Sequence, residues 1–182
     1  MTARHRWAPG TAGDLRDDAG VPRLLDKPSM SGMYYEEFEV GKRYEHQPGR
    51  TVTETDNLLF TTLSMNVQPL HLDAEFASKT QFGQILVNSL FTLATVIGLS
   101  VGETTLGTTV GNLGFDETRF PNPVFIGDTI YSSTVVKEKR ESNSRPDWGI
   151  VTFEHQGHNQ RGELVCSCIR KGMMIKRSSL QD

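Results

Sequence analysis

No part of this 182-residue chain offers an unbroken apolar run long enough to cross a bilayer as a helix, so a membrane-spanning segment is excluded as a reading of the sequence. Basic clusters are missing as well. Lys and Arg number 19 against 22 Asp and Glu, a formal charge of −3, and without a field of positive charge general binding to nucleic acid is not expected. Cysteine is scarce: Cys166 and Cys168 stand two apart on what reads as a strand, where alternation puts both on one face and holds a direct disulfide out of easy geometry. Buried free thiols are the expectation. The N-terminal stretch does not combine a basic start, an apolar centre and a small-residue cleavage site, so a cytoplasmic protein is expected. What is left is the composition of one compact domain whose partner is a small molecule or another protein.

Residues 1–30 carry five basic and four acidic side chains, three Gly and three Pro, with no apolar periodicity. Such a stretch cannot bury enough surface to offset the entropy of ordering it, so it reads as a flexible extension. The remaining chain, at −4, is the acidic and folded part, and one domain is expected over 31–178. From Tyr34 the texture becomes strand-like. Tyr44 to Val52, broken by Pro48-Gly49, predicts a first hairpin or an irregular strand pair. Thr53 to Leu63 predicts a helix, with Thr53 or Thr55 as cap, Glu54 and Asp56 at its positive end, and an apolar side made by Leu58, Leu59, Phe60 and Leu63. A loop over 64–70 leads to a short helix, Asp73 to Ala77, whose Phe76 and Ala77 face inward.

Asn88 to Val101 is apolar nearly all round, the pattern of a helix buried on most sides. Four strands are predicted after it, at about 107–120, 127–139, 149–158 and 163–175, with a hairpin turn at 159–162 and an exposed loop at 142–147. One greasy helix followed by an antiparallel meander predicts an α+β fold in which a curved sheet wraps the helix. Several residues invite chemical readings that the pattern does not support. His155 and His158 are three apart on a strand and point to opposite faces, so a shared zinc is not expected. Gly107, Gly111 and Gly114 lie in strand texture without the strand–turn–helix setting of a phosphate loop, and mark bends of the sheet instead. Arg119 either meets a negatively charged acyl or CoA group or is an exposed strand arginine beside Asp116 and Glu117.

The most specific segment is Ser64-Met65-Asn66-Val67-Gln68-Pro69-Leu70-His71-Leu72-Asp73-Ala74-Glu75-Phe76-Ala77. It resembles the signature of the MaoC-like, or R-specific enoyl-CoA hydratase, family, where a Gly-Asp-x-Asn-Pro-Leu-His loop precedes a small helix. Three further stretches agree in order: Tyr35 to Gly41, Phe82-Gly83-Gln84-Ile85, and Arg119-Phe120 through Pro123 to Ile130. The resemblance spans roughly Tyr34 to Lys176 and implies a hot-dog fold. It also implies hydration of an α,β-unsaturated acyl-CoA, with no metal or redox cofactor, since CoA is part of the substrate. A homodimer or larger homo-oligomer is implied too.

Adding water to such a thioester needs a group that takes a proton from water, a donor to the α carbon, and hydrogen-bond donors where charge develops on the thioester oxygen. In the family the loop Asp and His hold the water, and His71 falls on that His. Asn66 stands where the family has Asp, and an amide orients water without accepting its proton; Gln68 replaces the family Asn. Either His71 moves the protons with Asn66 as orienter, or another carboxylate substitutes, or hydration is lost. Asp56, Glu54 and Asp73 read better as helix-end partners. Where the family has Ile-x-His-Gly, this chain has Ile85-Leu86-Val87-Asn88, which makes Asn88 the expected backbone donor to the oxyanion. Val87 and Gln68 are substrate-facing positions in this reading. The altered loop and helix entrance resemble hydratases of short branched dicarboxylyl thioesters such as mesaconyl-CoA or itaconyl-CoA. A hot-dog thioesterase and a non-catalytic acyl-CoA-binding subunit are the alternatives.

Overall fold

The computed structural model describes residues 32–180; the expected extension, residues 1–30, lies outside them. In chain order come β1 (Arg43–Thr51), α1 (Glu54–Leu63), α2 (Ala74–Ser78), α3 (Ser89–Thr104), β2 (Thr109–Arg119), β3 (Thr129–Glu141), β4 (Trp148–His158) and β5 (Leu164–Ile175), with short 3₁₀ turns at Tyr35–Glu37, Pro69–His71 and Arg177–Leu180. The strands form one sheet in the order β1-β3-β4-β5-β2 with every pairing antiparallel. Each of the four strands predicted after α3 is present within two residues at either end. The 159–162 connection is a tight turn in which Gly162, at φ 78°, supplies the left-handed residue.

The first segment forms one strand. β1 runs through Pro48-Gly49 along β3 with its register broken between His46 and Arg50. An edge strand can carry a proline there, because a bulge leaves no ladder hydrogen bond for it to fail to make.

The helix α3 lies against the sheet along a single stripe, Thr92, Val96, Ser100 and Thr104, spaced by four as one helix face requires. Its other apolar residues are only partly covered in the lone chain, and Leu90 is 57% exposed, so the expected all-round burial is not met. The apolar side of α1 is likewise outward. Asn57 and Thr61 face the interior, while Leu58 and Leu59 are half exposed and Leu63 is 82% exposed. In α2 Ala77 is buried but Phe76 is not, because a helix of five residues has only one turn with which to cover the core.

Two apolar clusters divide the interior. Val52, Val87, Val96, Val124, Ile130, Val165 and Cys166 gather around the first half of α3. Tyr35, Phe38, Tyr44, Val136, Val151, Phe153 and Met174 form the other, where Phe38 meets Phe153 edge to face at 5.3 Å. Between them α3 touches the sheet: a Cβ at Gly157 would come within 2.3 Å of Val96 Cγ2. Cys166 and Cys168 are buried and free as expected, and burial pushes their thiols up to about 12 and about 11. No helix among the described residues is long and apolar enough to cross a membrane.

Candidate active site

The site is assembled where α1 ends and α3 begins. Thr53 caps α1 by accepting from Asp56 N–H, and the Asp56 carboxylate answers from Thr53 N–H. Burial alone would raise the Asp56 pKa, but the hydrogen bonds from Thr53 and the charge of Arg50 hold it below the ordinary carboxylate value. The helix closes with Met65 N–H on Thr62 C=O and Asn66 N–H on Thr61 C=O, Met65 taking the left-handed conformation at φ 57°. That closure delivers Asn66 to the loop. Asn66 Oδ1 accepts from Gln68 N–H at 3.1 Å, Gln68 C=O accepts from His71 N–H, and the chain winds through the 3₁₀ turn Pro69–His71. Asp73 then caps α2 by accepting from Phe76 N–H.

His71 is held by its ring. Nδ1 lies 2.8 Å from Leu86 C=O, and since a carbonyl only accepts, Nδ1 carries the hydrogen and Nε2 keeps its lone pair. The same strip is tied down on every side: Leu86 N–H donates to Leu70 C=O and Val87 N–H to Val124 C=O. Asn57, only 2% exposed, joins the two halves of the site. Its Nδ2 donates to His71 C=O at 3.0 Å and its Oδ1 accepts from Asn88 N–H at 2.9 Å. Asn88 caps α3 by accepting from Leu90 N–H, and its own Nδ2 reaches Thr61 Oγ1 at 3.3 Å. Behind this strip Asp128 fixes the turn before β3, accepting from Phe125 N–H, Gln160 Nε2 and Arg161 Nη1. Burial would raise its pKa, and those donors, Arg161 first, hold it below the ordinary carboxylate range.

A cavity of about 240 Å³ opens beside this strip, lined by Phe82, Leu86, Val87, Ser89, Thr92 and Phe120 among others. Val87 is therefore a lining residue, whereas Gln68 is exposed, shapes the loop through its backbone, and does not line that cavity. The assignment of Asn88 N–H to an oxyanion is corrected: Asn57 Oδ1 already occupies it, and Val124 C=O occupies the N–H of Val87. Ser89, the first helical residue and a lining residue, has a backbone N–H without a partner among the described residues. Asn66 and His71 share one loop but make no hydrogen bond to each other, and Asn66 Oδ1 is spent on the turn, which leaves its Nδ2 without a partner among the described residues.

Other candidates lie elsewhere. His155 is buried in the sheet face beneath α3, His158 follows a register break, and no group of three metal-ligating side chains occurs among the described residues. The register of β2 shifts beside Gly111 and Gly114, in keeping with bends there, and Arg119 is exposed, 4.0 Å from Glu117. Asn57 was missed because one polar residue in an amphipathic helix carries no signal of its own. The hint was its i, i+4 spacing to Thr61 on the side opposite the leucines.

A five-stranded antiparallel sheet against one long helix, with a histidine-bearing loop pinned at the helix start, defines a hot-dog domain. A Mycobacterium tuberculosis protein described as having a double hot-dog fold superposes with a TM-score of 0.72 at 22% identity, over 80% of this chain and 44% of that one. The chain belongs to the MaoC-like domain family, whose model matches residues 37–158. A monoamine oxidase regulatory protein of Archaeoglobus is 35% identical with a TM-score of 0.72, over 80% of this chain and 96% of that one. The mesaconyl-CoA hydratase of Haloarcula marismortui is 31% identical over 175 residues, 94% of this chain and 48% of the relative. The chain thus spans about half the length of the curated relatives it matches.

Proposed function

We propose that this domain hydrates an α,β-unsaturated acyl-CoA reversibly, with His71 as the group that moves the proton. The observation that carries the reading is the Nδ1–H bond of His71 to Leu86 C=O, which leaves the Nε2 lone pair of the neutral ring unused, while Leu86 itself lines the cavity. Water donates a proton to Nε2 as its oxygen bonds to the β carbon, and the imidazolium returns that proton to the α carbon. Asn66 Nδ2 orients the water. Ser89 N–H, at the positive end of α3, takes the place assigned to Asn88 as donor to the thioester oxygen. Neither Asp56 nor Asp73 is a substitute base, since each carboxylate is committed to a helix cap. The reading assigns no metal or redox cofactor, with CoA entering as part of the substrate.

The acyl group is read as a short branched dicarboxylyl, mesaconyl or itaconyl, on the similarity to the mesaconyl-CoA hydratase and on a cavity of modest volume. A second copy of the chain supplies the missing hot-dog unit in this reading. Its support is the outer edge of β2, which pairs only with β5 and exposes Val110, Leu113 and Phe115, together with the half-length match to the double hot-dog protein. Two free buried thiols suit a reducing cytoplasm. The thioesterase alternative loses ground. Such an enzyme commonly relies on an acidic residue on or near the buried helix; the one acid in α3, Glu103, is bonded to His46 at the far end from His71. The purified chain, given crotonyl-, mesaconyl- and itaconyl-CoA, should bleach the conjugated absorbance of at least one dicarboxylyl thioester. Binding of all three without any loss of absorbance would turn the assignment to the acyl-CoA-binding subunit.

A further inference from the structure

Beneath the C-terminal half of α3, far along the helix from His71, four polar side chains form one hydrogen-bonded file across the sheet. Glu103 Oε2 lies 2.7 Å from His46 Nδ1, His46 Nε2 lies 2.7 Å from Thr134 Oγ1, and Thr134 Oγ1 lies 2.8 Å from His155 Nδ1. Apart from Glu103, which is half exposed, the members are buried. The outer end sets a direction, because a carboxylate only accepts and His46 Nδ1 must donate to it. With His46 neutral, its Nε2 takes the Thr134 hydroxyl hydrogen, Thr134 accepts from His155 Nδ1–H, and His155 Nε2 turns a lone pair inward. With one proton added to His46 the file reverses, and His155 Nε2 becomes a donor.

The inner end of the file is open. His155 Nε2, Arg170 Nε and Arg170 Nη2 are all enclosed without a partner. The strand register places them together: His155 stands opposite Cys168, and Arg170 follows two residues later on the same face of β5. Arg170 keeps 5% of its surface exposed and lies 5.2 Å over the Phe153 ring, with no carboxylate paired to it among the described residues. Burial lowers the Arg170 pKa, and burial, with the Arg170 and His46 charges, pushes His155 down to about 3. A guanidinium enclosed in this way lacks a counter-charge.

We propose that Arg170 and His155 form a buried site for one small anion of halide or carboxylate size, whose binding is coupled to uptake of one proton by His46. In the bound state the anion accepts from Arg170 Nε and Nη2 and from His155 Nε2–H, and the Glu103 carboxylate balances the added proton. The groups facing this file are Glu103 from α3, Tyr44 and His46 from β1, and Cys168 and Arg170 from β5; β3 offers only the hydroxyls of Ser132 and Thr134. The Cys168 thiol and the Tyr44 hydroxyl are both raised by burial and stay neutral, which leaves His46 to take the proton.

The full chain, dialysed free of halide and carboxylate, is titrated calorimetrically with sodium bromide and with sodium formate at about pH 6 and about pH 8. Saturable binding of either probe is expected, tighter at the lower pH by up to about tenfold per unit, with close to one proton taken up per anion when two buffers of different ionisation heat are compared. Bromide alone points to a free halide, and formate alone to a carboxylate-bearing ligand. Glu103→Gln should keep the binding and lose its pH dependence, while Arg170→Met should abolish it. Should Arg170→Met fail to fold, the anomalous bromide peak expected between Arg170 and His155 in a crystal decides the site. Absence of saturable binding, binding without proton uptake, or a crystal with only water or a second copy's side chain in that place would overturn the proposal.

Discussion

The two ends of α3 carry two buried polar clusters built in opposite ways. At the N-terminal end Asn57, Thr61, Asn88 and the His71 backbone answer one another, so the Asn57 and Asn88 side chains are satisfied inside the protein. At the C-terminal end the file from Glu103 through His46 and Thr134 stops at His155 Nε2 beside Arg170, and both are left unanswered. A closed cluster holds geometry, and buried groups that satisfy each other add rigidity at modest net energy. An open one retains donors or acceptors for something that arrives. The contrast also appears within the first site: the His71 backbone and its Nδ1 are bonded, while its Nε2, with the Asn66 Nδ2 and the Ser89 N–H, is left over for chemistry.

The largest effect should come from removing that atom. His71→Ala should lower kcat at least about a hundredfold on the substrate found in the thioester panel while its thermal midpoint moves little, since the side chain holds only one hydrogen bond. A near-normal rate in the folded variant would detach His71 from catalysis. Asn57→Ala should act the other way round, costing about 2–4 kcal/mol in denaturant unfolding because two buried bonds go and leave partners unmet. Its rate should fall with the loosened loop, and an unaltered midpoint would show that the cluster is not closed. Arg170→Met, in anion-free buffer, should be neutral or stabilising by about 1–3 kcal/mol, as expected for loss of an enclosed charge. A clear loss of stability there would erase the contrast.

Asp128→Asn should cost about 1–2 kcal/mol at neutral pH, its half-exposed partner Arg161 being partly screened by solvent. The native Asp128 pKa is depressed, so its contribution is present above the unfolded carboxylate value and fades as pH falls through the native one. Wild type and variant should therefore converge in stability below about pH 4. The smallest effect is expected from Asn66→Asp, whose carboxylate still accepts from Gln68 N–H, and whose rate should stay within about tenfold of wild type. A collapse in rate would mean that an aspartate oxygen cannot take over from the Nδ2 donor in placing the water.

Much of this architecture is written in local pattern. The caps Thr53, Asp73 and Asn88 and the four later strands depend on residues close in the chain, and so does the loop that carries Asn66 and His71. What the pattern did not reveal depends on distant pairs. Asn57 and Asn88 are 31 residues apart, and His46 and Thr134 are 88 apart. A polar side chain on a strand reads as solvent-facing until the partner that satisfies it is known, which is why His46, His155 and Arg170 drew no notice as a set. The same limit explains Asn88: the acceptor already holding its N–H came from another helix. The leucines of α1 misled by composition, since amphipathicity states which residues share a face and not which way that face turns.

The contact between Gly157 and Val96 has a consequence for the seating of the helix. With no side chain at 157, the helix rests directly on the sheet midway along its length, between the two apolar clusters. The cavity beside Leu86 and Val87 lies on one side of that contact and the charged file on the other. A side chain added at 157 would meet Val96 and push the helix off the sheet. One hydrogen atom in place of a methyl group thus sets how closely the helix seats on the sheet between its two polar ends.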